Sequence, residues 1–274
     1  MGYLHEGHLS LVQEARRRAD VVVASIYVNP TQFSATEDFG VYPNSRAEDR
    51  RRLEEAGVGA TFEPATLYAT GRSSGASGDH ANVVGMGAPA AGAHETWVEV
   101  TRLQTGLCGG SRPHFFRGVA TVVAKLFNIV EPDVAVFGRK DYQQWRVLTR
   151  MARDLDFAVE VVGLPLVREP DGLAMSSRNA LLDSNARKRA LSISESLRWA
   201  EEACSRGEAP GVQVLRQGVA DRISAAGGRV DYVEVVDADE LVPVEELDAR
   251  PVLVAVAAFF GSVRLMDNLE LQGS

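Results

Sequence analysis

The sequence predicts an α/β protein: a Rossmann-like domain on a parallel sheet, followed by a smaller α+β domain. Three observations predict it. Strand-length apolar runs alternate with amphipathic helical patterns over the first two-thirds of the 274 residues. The loops that close those runs carry polar residues, as the carboxyl edge of an open sheet does when it binds a ligand. From about Asn185 the character changes to two helices and then a series of short strands.

Each element follows in order. After His5-Glu6-Gly7-His8 comes a helix carrying Leu9, Leu11, Val12 and Ala15, ending near Arg18. Residues 21–28 form a continuous apolar run, which predicts a strand buried on both faces. Residues 46–56 are polar and helical, and 60–63 suit a short strand. Residues 71–92, rich in Gly, Ser and Ala, read as a surface insertion. In 117–130, Val119, Val122, Val123, Leu126 and Ile129 fall on one side of a helix. Residues 134–137 are a second buried strand, ended by Gly138; 141–155 are a helix and 158–162 a strand. Such alternation argues for parallel pairing with right-handed crossovers. Further on, Leu191, Ile193, Leu197, Ala200 and Cys204 line a helix, and a second spans 212–225. Strands follow at 230–236, 252–257 and 263–266. A boundary near Pro165 to Val167 gives domains 1–166, with the insertion at about 71–92, and 167–274.

Composition narrows the function. A net charge of −8 with no basic block argues against a nucleic-acid partner. No run of about 18 apolar residues exists, so no membrane span is expected. Two His and a Glu within the first eight residues do not suit a signal peptide. Cys108 and Cys204 give no disulfide framework and point to a reducing compartment, the cytosol.

Four polar elements carry the chemistry. His5 and His8, at i and i+3, point to one side of a helix's first turn. There, unpaired N–H groups and the helix dipole favour a phosphate, and Gly7 lets the chain pass close to the anion. The zinc-protease pattern needs its His pair at i and i+4, so this spacing does not match it. Phe137-Gly138-Arg139-Lys140-Asp141-Tyr142-Gln143-Gln144 follows a strand, with Lys140 suited to phosphate oxygens and Gln144 one helical turn further on. Asn29-Pro30-Thr31-Gln32 closes the strand at 21–28 and offers neutral amides for a carboxylate or hydroxyl. Asp171-Gly172-Leu173-Ala174-Met175-Ser176-Ser177-Arg178-Asn179 adds two hydroxyls and a guanidinium. Taken singly, each suits a solvated helix start or an ordinary turn. Their joint occurrence points to a nucleotide activated at its α-phosphate, with pyrophosphate leaving.

Together these residues resemble the pantothenate synthetases, which join pantoate to β-alanine at the expense of ATP, within the wider superfamily of His-x-Gly-His nucleotidyltransferases. The resemblance runs from Met1-Gly2-Tyr3-Leu4 to Val263-Arg264-Leu265-Met266-Asp267-Asn268. The insertion before His94-Glu95-Thr96-Trp97, and Gly106-Leu107-Cys108-Gly109 after it, resemble the plant branch. The resemblance implies that His5 and His8 hold ATP phosphates, with Lys140, Ser176, Ser177 and Arg178 closing from the other side. It implies an ATP-binding set completed by Met1, Gly138, Asp141, Val167 and Met175, the last four bordering the adenosine. It further implies that Gln32 and Gln144 bind pantoate, with Asn29 and Tyr42 nearby, and that Mg²⁺ sits on the phosphates, helped by Asp49 and Glu48. The implied reaction runs through a pantoyl adenylate, and the implied assembly is a homodimer.

The chain departs from the family in two places. His114-Phe115-Phe116-Arg117 stands where bacterial members have Gly-His-Phe-Arg, so His114 receives no role. The family's first strand precedes the position of Met1. Its absence predicts that the strands at 21–28 and 134–137 face each other across a gap and that the chain is impaired. An inactive truncated form acting only as an interaction protein is therefore the alternative function, and a nucleotidyltransferase is the nearest other enzyme.

Overall fold

The computed structural model describes residues 2–33, 45–69, 92–206 and 210–272. Met1, Tyr42 and all but the last residue of the Gly-rich insertion lie outside the described residues.

Helix α1 (Glu6–Arg18) begins on His5, whose backbone is extended. Glu6 in its first turn and Arg16, Arg17 and Arg18 in its last suit the two ends of the helix dipole. Strand β1 (Val23–Ser25) pairs in parallel with β2 (Ala60–Phe62), and α2 (Arg46–Glu55) lies on the crossover between them. The run at 21–28 is not buried on both faces. Val22, Ala24 and Ile26 are buried, whereas Val21 is 68% and Val23 41% exposed. One face is covered, where Ala24 and Ile26 join Leu4, Val12 and Leu53 in a small core. Valines on the open face gave the sequence its unbroken apolar look.

A second parallel pair consists of β3 (Val134–Gly138) and β4 (Glu160–Leu164), linked through α4 (Tyr142–Asp154) and preceded by α3 (Phe115–Val130). Every residue of β3 is half-buried, not fully buried as its composition suggests. Among the described residues β1 pairs only with β2 and β3 only with β4, so each keeps one unpaired edge.

The last third contains α5 (Ser184–Ser205), α6 (Val212–Ala225) and an antiparallel sheet of β5 (Arg229–Asp237), β6 (Val252–Phe260) and β7 (Val263–Leu271). Asp183 caps α5 by accepting from the N–H groups of Asn185 and Ala186. Central strand β6 alternates between two cores. Val252, Val254, Val256, Ala258 and Phe260 pack with Ile193, Leu197, Leu215 and Val219. Leu253 and Ala255, on the opposite face, pack with Val119 and Val122 of α3 and Val147 and Leu148 of α4. The sheet is thus a wall shared by both halves of the chain. Strand β7 runs past the predicted 263–266 because Asp267, Asn268 and Glu270 interrupt its apolar pattern without interrupting its pairing to β6. No helix among the described residues is long and apolar enough to cross a membrane.

Candidate active site

The His5-Glu6-Gly7-His8 turn sits at the start of α1, which packs on β3. The His5 N–H donates to His8 Nδ1 at 3.3 Å, and the two rings lie 4.0 Å apart. That bond assigns the His8 proton to Nε2, leaving it as a donor. Burial, then the neighbouring His5 and Lys140 charges, push the His8 pKa down to about 3. Burial and Lys140 lower that of His5 as well. Both rings are therefore neutral near pH 7, and they contribute oriented donors, not fixed charge. His5 Nδ1 is buried with no partner among the described residues. Gly7 also serves the packing of the turn itself: a Cβ there would lie 2.9 Å from His5 Nδ1, so its absence makes room for that ring, while the Met175 Cβ at 3.6 Å would be an ordinary contact.

Lys140 lies in a 3₁₀ turn between β3 and α4, with Nζ 3.5 Å from Asp141 Oδ1. Gly138 ends β3 just before it. The opposing loop grows from a hairpin: the Met175 N–H donates to Val167 O at 3.0 Å, and Arg168 bridges Ala174. Ser176 then caps a short 3₁₀ helix, its Oγ accepting from the Arg178 N–H. Ser177 is buried.

Strand β7 fastens both pieces. Asn268 Nδ2 donates to Arg139 O and Lys140 O, each at 3.0 Å. Buried Asp267 accepts two bonds from Arg168, at 2.6 and 3.0 Å, and so anchors the hairpin. Glu270 accepts from Arg139 and from the Tyr142 hydroxyl.

Gln32, Gln144, Lys140, Asp141 and Arg178 line one cleft together with Asn268. Apolar Phe115, Phe116, Tyr232 and Met266 form part of its wall. The histidines do not line it, but Lys140, which does, is near enough for its charge to act on both rings. Neighbouring glutamines diverge. Gln143 is buried and fully used: Oε1 accepts from the Cys108 N–H, and Nε2 donates to Leu103 O and Gly106 O. Both border the cleft, but among the described residues neither the side chain of Gln144 nor that of Gln32 has a hydrogen-bond partner.

Three expected ligands sit elsewhere. Asn29 is buried, with Nδ2 donating to Gly118 O and Oδ1 accepting from Thr31 N–H and Oγ1, so its amide braces the turn that presents Gln32. Asp49 is also buried, and its two oxygens accept the N–H groups of Leu4 and Tyr3 at 2.7 and 2.8 Å. Glu48 is turned to solvent in an ion pair with Arg51. Asp49, whose two oxygens each accept a backbone N–H, and Glu48, paired with Arg51, thus carry other partners than a metal. Among the described residues no three His, Cys, Asp or Glu side chains cluster in a way that could hold a metal. Sequence reasoning missed Asp267 and Asn268. The signal was there: Asp267 occupies the buried register of a strand whose other buried residues are Val263, Leu265 and Leu271.

Such a site, at the ends of parallel strands, defines a class: an α/β enzyme that takes a nucleoside triphosphate and acts at its phosphates. Comparison with known proteins supplies the family. The model for pantoate-beta-alanine ligase matches residues 1–270, and the chain belongs to that family. It is 51% identical over 276 residues to a pantoate–beta-alanine ligase from Oryza sativa subsp. japonica, covering 99% of this chain and 88% of that one. A pantothenate synthetase from Anaeromyxobacter dehalogenans is 50% identical, with 98% and 88% covered. Among solved structures, a pantothenate synthetase from Thermus thermophilus superposes with a TM-score of 0.83 at 40% identity, covering 98% of this chain and 90% of that one. A pantoate-beta-alanine ligase from Francisella tularensis, complexed with beta-gamma ATP and β-alanine, matches with a TM-score of 0.73 at 29% identity, covering 98% and 86%.

Proposed function

We propose that the chain condenses pantoate with β-alanine in two steps at this cleft. A carboxylate oxygen of pantoate attacks the α-phosphorus of ATP. The bond to the bridging oxygen breaks, and pyrophosphate leaves. The amine of β-alanine then attacks the acyl carbon of the mixed anhydride; AMP leaves, and the amine loses a proton to give the amide. The observation that carries this reading is the convergence of Gln32, Gln144, Lys140 and Arg178 on one cleft whose wall is otherwise partly apolar.

Each residue then has a role. Lys140 and Arg178 supply positive charge where phosphate oxygens gain negative charge, commonly the largest catalytic contribution. His5 and His8 donate as neutral rings. Ser176 and Ser177 add hydroxyls, while Gly138, Asp141, Val167 and Met175 border the adenosine. Gln32 and Gln144 read the hydroxyls and carboxylate of pantoate. Met1 and Tyr42 complete the two sets. Residues 1–166 and 167–274 form the two domains between which ATP is gripped. Among the described residues none form a cluster that fits a protein-held Mg²⁺, so Mg²⁺ enters on the triphosphate, as this ion commonly does. The free Cys108 and Cys204 support a reducing cytosolic setting. A homodimer rests on the family resemblance.

Product analysis tests the reading. Incubation with ATP, pantoate and β-alanine gives AMP and an amide in equal amounts. A stable nucleotidyl product would instead mark a nucleotidyltransferase, and no turnover would favour an inactive interaction protein.

A further inference from the structure

We infer that Asp49 is a positioning residue for the activation step, acting through the His5 and His8 rings; this rests on those rings facing the phosphates. Asp49 is 1% exposed and lies on α2, outside the cleft. Its two carboxylate oxygens take the consecutive N–H groups of Tyr3 and Leu4. Tyr3 has φ +53°, a left-handed backbone that a tyrosine rarely adopts and that persists only where its surroundings enforce it. A buried carboxylate is costly unless its acceptors are filled, and here charge-assisted bonds fill them. Arg52, one turn along α2, donates to Leu4 O and reaches Glu6 Oε1 at 3.1 Å. The approach to the histidines is thereby fixed in sequence. Asp49 and Arg52 hold Tyr3 and Leu4; these place the His5 backbone; and the His5 N–H orients the His8 ring.

Asp49→Asn keeps the shape but turns one acceptor into a donor facing an N–H. The measurement is the single-turnover rate constant for pantoyl adenylate formation, which, unlike its amplitude, does not depend on the fraction folded. The rate constant falls about 10- to 100-fold, the scale of an ångström-sized misplacement, while the pantoate KM stays within about twofold. Raising Mg²⁺ does not restore it. Arg52→Met, from a partly exposed site, shifts the rate constant in the same direction and decides the matter if Asp49→Asn does not fold. Wild-type rate constants in either soluble variant would overturn the inference. So would recovery at high Mg²⁺, which would make Asp49 a metal group. A wild-type chain that forms no adenylate would instead overturn the reading of the site beneath it.

Discussion

Gln143 and Gln144 are adjacent in sequence and both border the cleft, yet the Gln143 amide is spent on structure while that of Gln144 has no partner among the described residues. Their alanine variants should separate accordingly. Gln144→Ala leaves polar groups of bound pantoate unpaired, at about 1–3 kcal/mol, so the pantoate kcat/KM falls by roughly 5- to 150-fold while ATP affinity holds. Gln143→Ala strands the Cys108 N–H and two carbonyls, so melting temperature drops by on the order of 2–4 °C per kcal/mol lost. Steady-state kinetics and a thermal melt on each variant check the contrast. His8 gives a pH signature. The unfolded chain takes up a proton there near 6.5, whereas the folded chain does not until about 3, so acidification through that window favours unfolding. His5 and His94 are lowered too and act in the same direction. Melting temperature should therefore fall as pH drops from about 6.5 to about 5, above the range where most carboxylates titrate. His8→Gln should flatten that slope, and an unchanged slope would mean His8 is not buried neutral.

At the scale of elements, the site depends on how closely a turn approaches a helix. Gly118 on α3 meets the turn before Gln32, and a Cβ there would lie 2.4 Å from Thr31 Oγ1 and 2.5 Å from Thr31 O. Gly118→Ala should push the turn off the helix, costing about 1–3 kcal/mol of stability and raising the pantoate KM. Gly110→Ala, where a Cβ would meet Thr105 O at an ordinary contact distance of 3.6 Å, should be tolerated in the same assays. Much of this level was legible in the chain. Helical periodicity placed α3, α4 and α6 to within two residues, because their apolar stripes are unbroken. The motif residues Gln32, Lys140, Gln144 and Arg178 do share a cleft. What escaped was whatever depends on partners distant in sequence. Composition cannot tell that Asp49 faces two backbone N–H groups from 45 and 46 residues away, or that Asn29 turns inward to Gly118. The valines at 21 and 23 looked like core because periodicity cannot distinguish an open face from a covered one when both are apolar.

At the scale of the whole molecule, one strand from the last third holds both jaws of the proposed ATP grip. Strand β7 reaches the Lys140 turn through Asn268 and the Met175–Arg178 loop through Asp267 and Arg168. Its sheet is in turn held between the two cores on either face of β6. Asn268→Asp replaces a donor to two carbonyls by an acceptor and adds a charge near Lys140. Its adenylation rate constant should fall by at least about tenfold, with the pantoate KM little changed, since misplacing a charged group costs rate before affinity. A normal rate constant would show that Lys140 is placed without β7. The claim that unites these scales is that the cleft activates pantoate by itself, before the amine is bound. ATP–pyrophosphate exchange measured with pantoate and without β-alanine tests it most directly. Labelled pyrophosphate should enter ATP when pantoate is present and should not when pantoate is omitted. Exchange that strictly requires β-alanine would contradict a free-standing adenylate and the account built on it.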